Sequence, residues 1–209
     1  MPRPVVAVAV FLFLVLSPAA IAADLKQDLF GPEPASVRIR AATPDGMALG
    51  CGTVIEGGRV ITAWHVVEDA TSVLIVARNG SFRTGAKWTR MGGDVAVIVL
   101  DKAFTRIVGV KLYTGKVKDG QAASAYYYWG IEHEHGSVTR MDGRVYPSGR
   151  TLPGLKGDLG DGILPVGMPA ASSMSGSGLF IGGRLAAVCS AAPSDSFGHG
   201  YGYWTRIPR

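Results

Sequence analysis

A histidine and an aspartate stand where apolar runs of the sequence end or begin, and their side chains can do chemistry together. His65 lies at the end of a β-rich run, where a rigid strand can hold the ring while it faces a cleft. Asp94 follows two glycines and opens the apolar run 95–100. A carboxylate at the mouth of a buried strand is costly unless it is hydrogen-bonded or paired. An imidazole N–H is a suitable partner for it.

Ser175 lies in a run of small residues, SSMSGSG, directly before another apolar run. Small neighbours let a substrate carbonyl approach the backbone, and they let successive N–H groups point into one concavity, as stabilisation of an oxyanion requires. Taken singly, the three residues also have plainer interpretations. These are a hydrogen-bonded histidine at a strand end, an acid in a turn, and a Ser-Gly surface loop.

Short β-strands are the elements that must position these side chains. Apolar residues alternate with polar ones or run continuously over three to ten positions, and glycine-rich turns such as 56–58 and 79–80 separate the runs. Asp142 and Gly143 are interpreted as a further hairpin turn. The runs are 37–41, 52–55, 59–63, 73–77, 81–88 and 95–100, then 122–129, 137–146, 163–166, 179–181, 185–190 and 201–207. We therefore predict an all-β fold of two consecutive six-stranded antiparallel β-barrels, residues 36–113 and 114–209.

Composition excludes several other classes of protein. In 209 residues, 47% are hydrophobic and only 18% are charged, which excludes a disordered chain, and the glycines lack the period of collagen. The net charge of +5 is scattered and not interleaved with aromatic residues, so we expect no nucleic-acid partner. Two cysteines are too few for a disulfide-scaffold miniprotein. Whether Cys51 pairs with Cys189 is left open by the sequence.

The first 22 residues have the three parts of a secretory signal. Arg3 precedes a continuous apolar run at 5–16, and a small-residue triplet ends at Ala22. We predict cleavage after Ala22, a secreted or periplasmic protein without membrane association, and an N-terminal arm at 23–35. An uncleaved anchor is the alternative, because the apolar region approaches the about 20 residues that span a bilayer. Pro18 and the triplet argue against it.

In their order along the chain, these fragments resemble the trypsin-like, chymotrypsin-fold serine proteases. The stretches CGTVI at 51–55, ITAWHV at 61–66 and DVAV at 94–97 are similar to the family's first barrel. SGSG at 175–178, followed by the run 185–190, is similar to the second. The resemblance covers roughly residues 37–207 and includes the chain order His, Asp, Ser. The spacing resembles the compact bacterial branch, which includes HtrA-like and glutamyl-endopeptidase-like enzymes. The resemblance to the family implies an active site in the cleft between the two barrels.

The resemblance implies a serine endopeptidase that cleaves by an acyl-enzyme route without a metal or organic cofactor. Ser175 would be the nucleophile, His65 the general base, and Asp94 the residue that fixes the imidazole tautomer. The backbone N–H groups of Ser173 and Ser175 would form the oxyanion hole. The family has glycine at the position of Ser173, so the chain departs from the pattern there. A catalytically weak or inactive protease-fold protein that binds peptides or partners is the alternative function. A secreted barrel with a coincidental Ser-Gly loop is a third.

By the same resemblance, the substrate pocket would lie between the residues before the nucleophile and the last two strands. Pro169 and Ala170 fall where a charged pocket floor could stand, and neither is charged. We therefore expect a small or apolar side chain at the cleavage site of a protein or peptide substrate, and a monomeric enzyme. The pocket residues implied are Pro169, Ala170, Ser190, Ala191, Ala192 and Gly202.

Two other features are predicted to be structural. On a strand, His133 and His135 would face the same side and could bind zinc, but the sequence nominates no third ligand. We therefore predict a charged loop tip between strands and no metal site. The aromatic cluster at 126–129 is typical of a barrel core.

Overall fold

The computed structural model describes residues 33–129, 137–146, 162–171, 174–191 and 202–208, and these residues form an all-β protein. A 3-10 turn at Glu33–Ala35 precedes the first strand. The elements that follow are β1 (Ser36–Thr43), β2 (Gly46–Ile55), β3 (Arg59–Ala63), the one-turn helix α1 (Trp64–Val67), β4 (Ser72–Ala77), β5 (Phe82–Gly92), β6 (Val95–Leu100), β7 (Ala122–Trp129), β8 (Ser137–Arg144), β9 (Ile163–Val166), β10 (Gly178–Ile181), β11 (Arg184–Ala191) and β12 (Gly202–Arg206). No helix among the described residues is long and apolar enough to cross a membrane.

The first six strands close into an antiparallel barrel in the order β1-β2-β3-β6-β5-β4. Alternate residues of β1, such as Val37 and Ile39, point inward and are fully buried. The predicted hairpin turns are confirmed, because Gly57, Gly58 and Gly80 all have the positive φ that such turns require. The first barrel therefore follows from the two-residue alternation and from the glycine turns.

The other six strands form a curled antiparallel sheet in the order β8-β7-β10-β11-β12-β9. Its two edges meet where Val145 and Val166 form an isolated bridge, beside a 2.8 Å hydrogen bond from the N–H of Tyr146 to the carbonyl of Pro165. The indole of Trp204 and the side chain of Leu164 fill the interior. The predicted pair of six-stranded units is thus confirmed, the second as a curled half-barrel.

One predicted turn is wrong. Gly143 lies inside the continuous strand β8 and pairs with Ala123, and Asp142 pairs with Ser124, so no hairpin forms there. The glycine is needed for another reason, since a Cβ at this position would overlap the backbone carbonyl of Gly167. The pair Asp-Gly marks a close approach of two backbones here and not a change of direction.

Two aromatic residues of β7, Tyr126 and Tyr128, lie at the interface between the two barrels. Tyr126 packs edge-on against Phe180, with ring centroids 5.5 Å apart. The buried hydroxyl of Tyr128 donates to the carbonyl of Ser36 in the first barrel. The guanidinium of Arg38 lies 5.6 Å from the centre of the Tyr128 ring. The three tyrosines at 126–128 therefore belong to the core, and Tyr128 also attaches the second unit to β1.

The segment between β6 and β7 binds to both barrels. Val110 forms a parallel bridge with Ile55 of β2, and Leu112 forms one with Leu185 of β11. Backbone hydrogen bonds of 2.8 to 3.1 Å support both bridges. The connection thus fixes the relative position of β2 and β11, the two strands that carry the cysteines.

Candidate active site

His65 and Asp94 form a doubly hydrogen-bonded pair. The backbone N–H of His65 donates to Oδ1 of Asp94 at 2.9 Å, and the ring Nδ1 lies 2.8 Å from Oδ2. A carboxylate only accepts hydrogen bonds, so it holds the proton of the neutral ring on Nδ1 and leaves the lone pair on Nε2. The His65 side chain is 42% exposed, and a substrate can therefore reach the ring.

Strand register explains why these two residues meet. Ala63 at the end of β3 pairs with Val95 at the start of β6, so the residues that flank this pair are neighbours. The N–H of Trp64 extends the contact by donating to the carbonyl of Asp94 at 3.1 Å. Gly93, with a φ of +54°, completes the turn that ends β5 and delivers Asp94 to the mouth of the barrel.

The loop that contains Ser175 is held from both barrels. The N–H of Cys51 in β2 donates to the carbonyl of Ser175 at 2.7 Å. On the other side, the N–H of Gly176 donates to the carbonyl of Cys189 in β11 at 2.8 Å, and the N–H of Cys189 donates to the carbonyl of Ser177 at 2.9 Å. Residues 175–177 are therefore fixed between a strand of the first barrel and a strand of the second.

Gly176 enters the first barrel at the point where β2 and β3 separate. The β2–β3 pairing ends at Thr53 and Ile61. Gly176 lies beyond the end of this pairing, where a Cβ on it would overlap the carbonyl oxygen of Cys51 and the hydroxyl of Thr62. The φ of Gly176 is +81°, which also favours glycine. The loop thus occupies the gap between the two diverging strands.

Gly50 shows how close the Ser175 loop comes to the helix of His65. A Cβ at Gly50 would lie 2.8 Å from both terminal carbons of Val66 and 3.0 Å from the carbonyl oxygen of Ser175. Val66 directly follows His65 in α1. The loop and the helix therefore pack on the same glycine, and the three predicted residues lie in one region where the two barrels meet.

The predicted pocket residues lie partly within the described chain. Gly202 and Ala170 are in contact, since a Cβ at Gly202 would lie 2.6 Å from the Ala170 Cβ. The hydroxyl of Ser190 lies 2.5 Å from that of Thr205, and Pro169 is exposed. Ala191 ends β11. Ser173, Ala192, His133, His135 and the signal region lie outside the described residues.

Both cysteines are buried free thiols on either side of the Ser175 loop. Burial raises the pKa of the Cys51 thiol, although hydrogen bonds from the Tyr128 backbone and from Ser177 oppose the shift. Burial also raises the pKa of the Cys189 thiol, and the nearby Cys51 and Asp94 add to this rise. Sequence reasoning identified the pair but did not foresee that their backbones hold the loop.

Sequence reasoning also missed Thr62. Its hydroxyl is fully buried and donates to the carbonyl of Cys51 at 2.7 Å. The available signal was a hydroxyl in the otherwise apolar run 60–63, since a buried polar group has to find a partner.

The closed barrel and the curled second barrel packed against it define a class of fold, that of the chymotrypsin-like proteases. No protein-family model and no curated protein matches the chain by sequence. Solved structures do match. The active form of the Rv3671c protease from M. tuberculosis is 20% identical, with a TM-score of 0.67, over 99% of this chain and 89% of that one.

Two other solved proteases show the same likeness. HL collagenase is 15% identical, with a TM-score of 0.69, over 84% of this chain and 89% of that one. The HtrA-type protease AlgW, in a variant solved with a tripeptide, is 17% identical, with a TM-score of 0.68, over 87% of this chain and 59% of that one. These likenesses confirm the trypsin-like fold that the sequence fragments predict.

Proposed function

We propose that the protein is an exported serine endopeptidase that forms an acyl-enzyme on Ser175. The observation that carries the proposal is the His65–Asp94 pair, with its Nδ1–Oδ2 distance of 2.8 Å, beside a loop that both barrels hold. The solved proteases of the same fold support it. A fold alone does not define an activity, whereas the geometry of a site indicates which chemistry it can perform.

The arrangement supports a two-step hydrolysis. A serine hydroxyl is a weak nucleophile near neutral pH, and His65 Nε2 takes its proton as Ser175 Oγ bonds to the substrate carbonyl carbon. The imidazolium that forms is stabilised by the Asp94 carboxylate. It then gives the proton to the leaving amine as the scissile C–N bond breaks. Water, activated by the same ring, releases the acyl group and restores the serine.

The oxyanion of each tetrahedral intermediate would accept hydrogen bonds from the backbone N–H groups of Ser173 and Ser175. Protein or peptide substrates fit this chemistry, and the uncharged Pro169 and Ala170 favour a small or apolar side chain at the cleavage site. Export rests on the signal-like residues 1–22. Mass spectrometry of the exported protein tests it, and an N-terminus at Ala23 is the expected result.

A fluorophosphonate probe tests the nucleophile, because it bonds covalently only to an activated serine. We expect the wild type to be labelled and Ser175→Ala to lose both labelling and about 10⁴-fold or more of peptide turnover. Ser177→Ala is the matched control: its hydroxyl is fully buried, so its removal leaves a reactive Ser175 to be labelled. A folded wild-type protein without labelling would favour the inactive, peptide-binding alternative.

A further inference from the structure

At Thr62, a side-chain hydrogen bond connects β3 to β2 in place of a backbone hydrogen bond between the two strands. The ladder between β2 and β3 ends at Thr53 and Ile61, one residue before Thr62. There the Thr62 hydroxyl, fully buried, donates to the carbonyl of Cys51 at 2.7 Å. The hydroxyl therefore connects β3 to β2 across the gap that Gly176 enters.

The backbone N–H of Cys51 binds the loop that contains Ser175, the proposed nucleophile. This N–H donates to the carbonyl of Ser175 at 2.7 Å, so two hydrogen bonds lead from Thr62 through Cys51 to Ser175. Thr62 also precedes His65 by three residues, at the end of the strand that leads into α1. One side chain thus connects the segment of the base to the segment of the nucleophile.

We propose that Thr62 is a positioning residue that sets the separation between Ser175 and His65, an inference that rests on the proposed function. The backbone of Gly176 packs against both the Thr62 hydroxyl and the Cys51 carbonyl without room for a Cβ. A shift of Cys51 is therefore transmitted to the loop. Reacting groups must approach to about 3–3.5 Å, and a misplacement of about 1 Å can cost about 10²-fold in rate.

Thr62→Val removes the hydroxyl at nearly constant volume and leaves the Cys51 carbonyl without this partner. Thr62→Ser keeps the hydroxyl. The chain also offers a matched control in Thr53, which is fully buried on β2 and whose hydroxyl has no hydrogen-bond partner among the described residues. Thr53→Val therefore makes the same chemical change without breaking a hydrogen bond.

The experiment compares these full-length variants by their rate of inactivation by a fluorophosphonate and by kcat and KM on one peptide substrate. We expect Thr62→Val to lower kcat and the inactivation rate about 10- to 100-fold with little change in KM. Thr62→Ser and Thr53→Val should stay within about threefold of the wild type, on the same reasoning. The pH midpoint of activity should not move, because the His65–Asp94 pair stays intact.

Wild-type rates in Thr62→Val, an equal loss in Thr53→Val, or a change in KM alone would each overturn the proposal. If Thr62→Val does not fold, Thr62→Ser and Thr62→Ala take its place, and equal rates in these two overturn the proposal as well. A wild type that never reacts with the probe refutes the peptidase itself. A reactive wild type that is indifferent to changes at Thr62 refutes only the positioning role.

Discussion

Gly176→Ala tests whether the loop that contains Ser175 is fixed by the close approach of backbones. At φ +81° an alanine pays backbone strain of about 1–2 kcal/mol. Its Cβ would also overlap the Cys51 carbonyl and the Thr62 hydroxyl, and forced overlap of this kind costs about 1–3 kcal/mol. We therefore expect the free energy of unfolding to fall by about 2–5 kcal/mol, with loss of fluorophosphonate labelling.

Gly182→Ala separates the cost of backbone strain from the cost of steric overlap. Gly182 has a φ of +56°, but a Cβ there meets nothing within 4 Å. This variant should show the backbone strain alone, about 1–2 kcal/mol, and keep full labelling. Urea unfolding of the full chain measures both variants. If Gly176→Ala lowers the free energy of unfolding no more than Gly182→Ala does, the backbones around Gly176 do not confine the loop.

Two further predictions concern the charge state of the site and of the core. Asp94→Asn should lower kcat by about 10³–10⁴-fold, because an amide NH₂ facing the ring no longer accepts from Nδ1; unchanged peptide turnover would contradict the assigned pair. Burial raises the pKa of both thiols above the ordinary 9.0, so the unfolded chain loses these protons first and the free energy of unfolding falls as pH rises above about 9. Urea unfolding at pH 8 and at pH 10 should show this fall in the free energy of unfolding, and the fall should be smaller in Cys189→Ala. A fall in Cys189→Ala equal to that of the wild type would contradict the prediction.

The pairing of His65 with Asp94 could be predicted because its causes are local in the sequence. Each residue adjoins an apolar run, and glycines mark the turn before Asp94. Once two such strands are neighbours, the register of Ala63 with Val95 brings the side chains together. The β-barrel architecture has the same local origin, in alternation and in turn residues.

What could not be predicted depends on contacts between distant parts of the chain. Gly143 has the sequence of a turn, and only the approach of Gly167 from another strand shows why glycine stands there. The hydrogen bond from the Cys51 N–H to the Ser175 carbonyl likewise forms only when both barrels are assembled. Hydrophobic periodicity describes which face of a strand is buried, but not which backbone lies across the gap.

The division of the site between two barrels has a consequence for the newly made chain. His65 and Asp94 arrive with the first barrel, whereas Ser175 arrives with the second and is anchored to Cys51 only when the two units have met. Chains emerge from the ribosome with the N-terminal part first, and domains fold as units. A half-made molecule would therefore carry the proposed base without the proposed nucleophile. If the proposed function is correct, such a chain would be unable to cut itself or its neighbours until the second barrel has joined the first.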